Sequence, residues 1–333
     1  MPTPSSFARP SSGPVVVCGA TGRVGSLVVR HLLELGIEVR AVGRRGPKLE
    51  ALEALGARRC AGSLTDPAFL ADAFAGARAA FVMTPVDTSA ADVNGLQDAV
   101  IDASVSAVAR SAIEHVVLLS SWGAELTEPV GGIIACHRFE QALAAMGRNV
   151  ISLRPVWFLD NFLWSIPLVQ MAGFNGSPVD GRVRFPMIAA RDIAPVAAEY
   201  LSSLEFSGWS VRYLQGAADY TLTEVTKALG SAIGKPELPY VAMPEAAYRR
   251  GLLGAGLTAD AAQLALEITR AIEAGVVQAP PRSPASTTPT TIEQFAAEVF
   301  APAYHRSPPP KLGERLGGLA LRTYLRVSGH RAA

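Results

Sequence analysis

The sequence predicts an α/β fold: a doubly wound parallel sheet followed by a smaller C-terminal cap. Three observations predict it. Short β-branched runs alternate with longer helical patterns from Pro14 to Pro155, and parallel neighbours need such crossovers. A G-x-x-G-x-x-G triplet stands where the first strand meets the first helix. Beyond Pro155 the alternation breaks, and prolines, glycines and aromatic residues crowd the chain.

Each element has its own signal. "PVVVCG" is a continuous apolar run, as a strand buried on both faces requires. "RVGSLVVRHLLELG" sets Val24, Leu27, Val28, Leu32 and Leu35 at helical spacing and stops at Gly36. Strands follow in "IEVRAVG", "ARRCAG", "RAAFVMT", "HVVLLSS" and "NVISLR". Between them lie helices through "KLEALEALG", "PAFLADAFAG", residues 89–112 and residues 133–146. Residues 14–155 thus read as one nucleotide-binding unit, with 190–216 expected to return to its sheet and 156–304 as the cap. Residues 1–13 read as a disordered arm. The Pro-broken segment 305–333 reads as a flexible tail, the alternative being a basic amphipathic helix that docks on a partner or membrane surface.

Bulk properties exclude several classes. The 30 basic and 29 acidic residues leave a net charge of +1, too little to draw the chain to nucleic acid or an anionic surface. No apolar run reaches the ~20 residues of a membrane span, and no recognition-helix motif occurs. Cys18, Cys60 and Cys136 form no C-x-x-C pair, which fits a reducing cytoplasm. The five histidines form no i, i+4 pair, so no metal is expected. A small molecule is the expected partner, with homo-oligomerisation left open.

Gly19, Gly22 and Gly25 meet the context that a phosphate-binding turn needs, with a strand before and a helix after. The first turns the chain, the second admits a pyrophosphate, and the third lets helix and strand pack closely. Backbone N–H groups from Thr21 to Gly25, with Arg23 and Val24 among them, would face the anion. After the second strand stands "AVGRRGPK" and no carboxylate. Arg44, Arg45 and Lys48 there, with Arg23 in the loop, favour a 2′-phosphate and hence NADP(H).

Together "GATGRVG", "GSLTDPAFLADAF", "VVLLSSWGAE", "HRFEQAL", "LRPVWFLDN" and "ARDIA" resemble the NmrA-like group of atypical short-chain dehydrogenases. The stretch "TTPTTIEQFAAEVF" adds to the likeness, which runs from Val15 to Tyr304. The resemblance implies a Rossmann-type domain, NAD(P)H in a cleft under the cap, and contacts from the ends of the third and fourth strands. Those ends carry Ser63, where relatives have an acid, and Thr84 with Pro85. It also implies three kinds of function: reductases of quinones and aromatic compounds, regulators that sense the NADP pool, and enzymes of aromatic polyketide secondary metabolism.

Ordinary members of the wider superfamily use a Tyr-x-x-x-Lys dyad with a preceding serine as acid and support. Ser120 and Ser121 stand where that serine belongs, but no Tyr-x-x-x-Lys occurs in the chain. Cys136, His137, Arg138 and Glu140 fill the window instead. His137 is the candidate to transfer a proton or hold ribose hydroxyls; Cys136 reads as a small buried residue. Arg154 and Pro155 end the sixth strand on the cofactor side, where Arg154 either meets the cofactor or braces the sheet to the cap.

Trp122, Trp157, Phe158, Phe162 and Trp164 follow two strand ends, and Asn161 lies among them. They form a candidate wall for a flat apolar substrate, or else pack cap on core. The leading expectation is an NADP(H)-dependent oxidoreductase of a hydrophobic aromatic or quinone-type metabolite. A coupling or dimerising step in polyketide biosynthesis and a non-catalytic NADP(H) sensor are the alternatives.

Overall fold

The computed structural model describes residues 13–128 and 130–327, so all of the expected N-terminal arm but Gly13 lies outside the described residues. The first eleven elements alternate: β1 (Val15–Val17), α1 (Arg23–Glu34), β2 (Val39–Gly43), α2 (Pro47–Glu53), β3 (Arg58–Ala61), α3 (Pro67–Phe74), β4 (Ala79–Met83), α4 (Val93–Ala109), β5 (His115–Leu119), α5 (Ile133–Ala144) and β6 (Asn149–Pro155). The strands join in the order β3-β2-β1-β4-β5-β6, and the strand Trp209–Leu214 adds outside β6. Every pairing in this 7-stranded sheet is parallel. The order reverses between β1 and β4, which opens a crevice at the carboxyl ends of the strands.

Period-two alternation divides the core. Val15 and Val17 of β1 face one layer, where Val28 and Leu32 of α1 meet Ala194, Ala197 and Leu201 of the helix Ala190–Ser203. Val16 faces the other, with Phe74 of α3, Ala107 of α4 and Phe139 of α5. Both faces are covered, which explains why these strands read as unbroken apolar runs. Burying each such valine stabilises the fold by about 1.5–3 kcal/mol.

The later chain returns to the crevice. The strand Arg184–Ile188 pairs parallel with Trp157–Phe158 and antiparallel with Asp219–Thr221. The helix Ala259–Glu273 is tied to the loop after β4, since Thr258 N donates to Thr88 O at 3.0 Å and Val93 N to Asp260 Oδ2 at 2.8 Å. It also touches the loop after β5, where a Cβ on Gly131 would lie 2.5 Å from Leu264 O. One cap helix therefore spans the loops of two neighbouring strands.

The tail differs from the expected flexible segment. Residues Leu312–Val327 form a helix packed against the helix Ile166–Ala172, with Leu325 buried and a Cβ on Gly318 only 2.3 Å from Met171 O. The physical reason is tertiary: Leu321 and Leu325 complete an apolar cluster with Ala172, Phe174 and Met243, which a local reading of "SPPP" does not reveal.

Candidate active site

The glycine loop is a cradle built by close approach. Gly19 has φ +65, and a Cβ there would meet Met83 Sδ at 2.8 Å. A Cβ on Gly25 would lie 2.3 Å from Gly19 O, so α1 crosses the loop where only hydrogen fits. Gly22 is the N-cap of α1, exposed, with no side-chain cap and no acid in the first turn. The first-turn N–H groups of Arg23, Val24 and Gly25 therefore lack intrahelical partners, and the positive end of the helix opens on the crevice. Thr21 flanks them, close enough to β2 that a Cβ on Gly43 would meet its Cγ2 at 3.0 Å. A pyrophosphate fits this donor set.

The basic residues separate into two kinds. Arg44 is 87% exposed and reaches only Asp87 Oδ2, at 3.8 Å; Arg45 and Lys48 are exposed beside it. Arg23 instead donates from Nη1 to the Asp160 carbonyl at 2.9 Å, tying the glycine loop to the turn Leu159–Ser165. The same Asp160 accepts Ala190 N at 2.8 Å through Oδ2. Arg44 and Arg45 thus both present exposed guanidinium groups beyond β2, Arg44 with Asp87 nearby. Ser63, exposed beyond β3, shares a 2.8 Å hydrogen bond with Thr65. Half-buried Thr84 lies 3.9 Å from Cys136 Sγ, with Pro85 next in the chain.

Ser120 does not stand free at the end of β5. Its hydroxyl donates to Glu140 Oε1 at 2.6 Å. Arg154 grips the same carboxylate twice, Nε to Oε1 at 2.9 Å and Nη2 to Oε2 at 2.6 Å. Its Nη1 donates to Glu125 Oε2 at 2.7 Å and to Tyr213 OH at 3.0 Å, while Tyr213 OH donates to Glu125 at 2.8 Å. Burial opposes the charge on Arg154, but the hydrogen bonds and charge of Glu140 outweigh it and hold the guanidinium above its usual pKa. Burial, then the hydrogen bond to Glu125, raises the pKa of Tyr213. Of the two sequence readings, Arg154 is a brace, and it joins β6 to α5 and to the strand Trp209–Leu214. Glu140 falls between Ile133 and Leu143 at buried helical spacing, and that misplaced charge was the available signal.

Ser121, half-buried, has no side-chain partner among the described residues. His137 Nδ1 lies 2.9 Å from Ala124 O; a carbonyl only accepts, so Nδ1 carries the proton and a neutral ring leaves Nε2 as an acceptor. Arg138 pairs with Asp98 of α4 at 2.8 Å and serves the helix layer. Burial pushes the thiols of Cys18 and Cys136 up to about 12 and about 11, and it raises Cys60 as well. Cys18 and Cys136 therefore stay protonated, and half-buried Cys60 is expected to be the thiol that iodoacetamide alkylates in the native protein. Peptide mass mapping before and after denaturation checks this; native labelling of Cys136 would contradict it.

The aromatic candidates divide. Trp122 is buried and stacks on Phe185, centroids 6.3 Å apart at 21°, while Trp157 meets the same ring edge-on at 6.3 Å and 87°. Beside Trp122 and Phe185 is a cavity of about 340 Å³, whose wall is mixed: Val183, Ile272 and Val277 share it with Arg184, Glu273 and Gln278. Trp157 Nε1 is buried without a partner among the described residues. Phe162 is a core residue, Phe158 packs half-buried against that core, and Asn161 sits half-buried in the turn. Trp164 points away, 60% exposed. Pro155 is buried, and its carbonyl accepts Trp122 N at 3.1 Å, which links the ends of β5 and β6. Phe185, the hinge of the cluster, lies in a cap strand that sequence reading did not connect to the site.

The NmrA-like family model matches residues 11–295. An NAD(P)H azoreductase of Xenophilus azovorans is 28% identical over 243 residues, covering 73% of this chain and 82% of the relative. The fold matches an NADPH-dependent quinone oxidoreductase of Escherichia coli complexed with NADPH, with TM-score 0.71, 24% identity, and 86% and 99% of the two chains covered. It also matches NmrA, a negative transcriptional regulator in complex with NADP, with TM-score 0.66, 19% identity, and 89% and 97% covered.

Proposed function

This chain belongs to the NmrA-like family, and on that premise we propose that it is an NADP(H)-dependent oxidoreductase of hydrophobic aromatic acceptors, of quinone or azo type. The observation that carries the reading is the uncapped glycine cradle at the start of α1, supported by the stacked rings of Trp122 and Phe185 with a cavity beside them. NADP(H) is the cofactor, held by the N–H groups of Arg23, Val24 and Gly25 at its pyrophosphate and by Arg44 and Arg45 at its 2′-phosphate. When bound, it supplies the hydride.

The protein's own residues orient the acceptor. Trp122 and Phe185, stacked on each other, and Trp157, edge-on to Phe185, would give a flat acceptor an aromatic edge to pack against. We assign the Trp157 Nε1–H, unpartnered among the described residues, to the acceptor's heteroatom, which it would polarise without transferring a proton. The proton that accompanies the hydride comes from water, so the missing tyrosine matters least for acceptors whose reduced oxygens or nitrogens exchange protons freely. Neutral His137 accepts from a ribose hydroxyl through Nε2. Ser121, not Ser120, is the hydroxyl available to the substrate.

The test is NADPH oxidation, followed by absorbance, against quinones, azo dyes and aromatic ketones. Acceptor-dependent turnover is expected, and Trp157→Phe should lower kcat/KM about tenfold, one unmade hydrogen bond to a buried group, with NADPH affinity unchanged. The committed hydroxyl of Ser120 and the missing dyad favour a second reading, an NADP(H) sensor. NADPH binding without turnover on any acceptor would sink the reductase in its favour. A coupled product formed from an aromatic metabolite without NADPH consumption would point instead to the coupling enzyme.

A further inference from the structure

The C-terminal helix Leu312–Val327 has two apolar faces and uses one. Gly318, Leu321 and Leu325 dock it on the cap. On the far side Leu312, Leu316, Leu319 and Val327 are 74%, 60%, 62% and 83% exposed. Their spacing of four, three and eight residues keeps them on one stripe of an α-helix. Lys311 and Arg315, both exposed, lie along the border of that stripe, while half-buried Arg322 on the same side reaches back to Gly173 of the cap. The helix's single acid, Glu314, is turned to its N-terminus, where Oε2 accepts Lys311 N at 2.6 Å.

We infer that this face is a docking surface for an anionic phospholipid bilayer, with the leucine stripe in the acyl boundary and the basic border on the headgroups. The argument is charge complementarity: a cationic border beside a flat aliphatic stripe matches an anionic, apolar-backed surface. A second copy of the chain matches it poorly, because an isologous pair would set the same cations against each other. The whole chain's net charge of +1 does not oppose this. Lipid headgroups feel the local cations within a Debye length of ~8–10 Å. The contact is peripheral, since among the described residues no helix is long and apolar enough to cross a membrane. The inference stands apart from the reading of the cleft.

Flotation of the full-length protein with vesicles of phosphatidylcholine containing phosphatidylglycerol, against phosphatidylcholine alone, tests it. Binding should be on the order of 10-fold tighter on the anionic vesicles, as two surface cations predict, and should fall with salt. Leu316→Glu with Leu319→Glu should remove binding, with the thermal melt and NADPH affinity unchanged because both side chains point to solvent. Arg315→Glu should weaken binding several-fold on anionic vesicles only. No flotation on anionic vesicles, or flotation that survives the double substitution, overturns the proposal. So does light scattering that shows a dimer which the double substitution dissociates, because the face would then belong to a second copy.

Discussion

Gly22→Asp is expected to leave the chain folded and to abolish NADP(H) binding. Gly22 has φ −80 and ψ 175, extended backbone open to any residue, and its Cβ would meet only Gly19 O, at 3.1 Å. Aspartate is among the best N-cap residues, worth roughly a few tenths of a kcal/mol over the glycine it replaces. Here it would cap α1, whose N-terminus has no side-chain cap. The stability change is therefore near zero or favourable. The same carboxylate takes the N–H groups that a pyrophosphate needs and repels its charge. Two unit charges ~4 Å apart at an effective dielectric of ~20 repel by about 4 kcal/mol, roughly a thousandfold in affinity. Fluorescence titration with NADPH beside a thermal melt measures both terms. A variant that melts as high as the wild type and still binds NADPH with wild-type affinity would disprove the cradle. Gly25→Ala is the poorer test, because its Cβ would collide with Gly19 O at 2.3 Å and damage fold and binding together.

The cradle was legible in the sequence because every part of it is local. One strand, three glycines and one helix start occupy consecutive residues, and chain sterics alone decide which positions tolerate a side chain. The parallel sheet was legible for a related reason: both faces of each strand are buried, so the strands read as apolar runs between amphipathic helices. The strand Trp209–Leu214 pairs in parallel outside β6. What the sequence hid depends on partners far along the chain. Arg23 reads as a 2′-phosphate ligand in the sequence, which gives no sign that its Nη1 also meets a carbonyl of the turn Leu159–Ser165. Trp122 and Trp157 could be proposed as a wall, but Phe185, which places them on one ring, reaches the site through pairing between Arg184–Ile188 and Trp157–Phe158. The tail helix shows the opposite error. Pro308, Pro309 and Pro310 do mark the end of the preceding helix Ala301–Arg306, yet they say nothing about a docking partner farther on.

Ser120 sits where the superfamily's serine should sit, and its spacing is right, so its role has to be decided by its partner. Glu140→Ala is expected to destabilise the protein by about 3–5 kcal/mol, the usual cost of leaving a buried charge unpaired. Arg154, only 8% exposed, would keep Glu125 and Tyr213 on Nη1 but lose both bonds from Nε and Nη2. The melting temperature should fall by on the order of 10 °C. Removing both charges, as Glu140→Leu with Arg154→Met, should recover much of that loss, because apolar groups of similar volume replace buried pairs well. Ser120→Ala takes one hydrogen bond from the network and should cost about 1 kcal/mol. Denaturant titrations of the four proteins separate these terms. Turnover then decides the role: Ser120→Ala retaining most of wild-type kcat marks a serine that holds α5 to β5, whereas a loss of a hundredfold or more at nearly unchanged stability would return Ser120 to the reacting atoms. The first outcome follows from the geometry. A hydroxyl 2.6 Å from a buried carboxylate that Arg154 also grips cannot turn to a substrate without leaving that carboxylate short of a donor. The brace fixes β5, α5 and β6 together, and from those elements emerge Ser121, Trp122, His137 and Trp157.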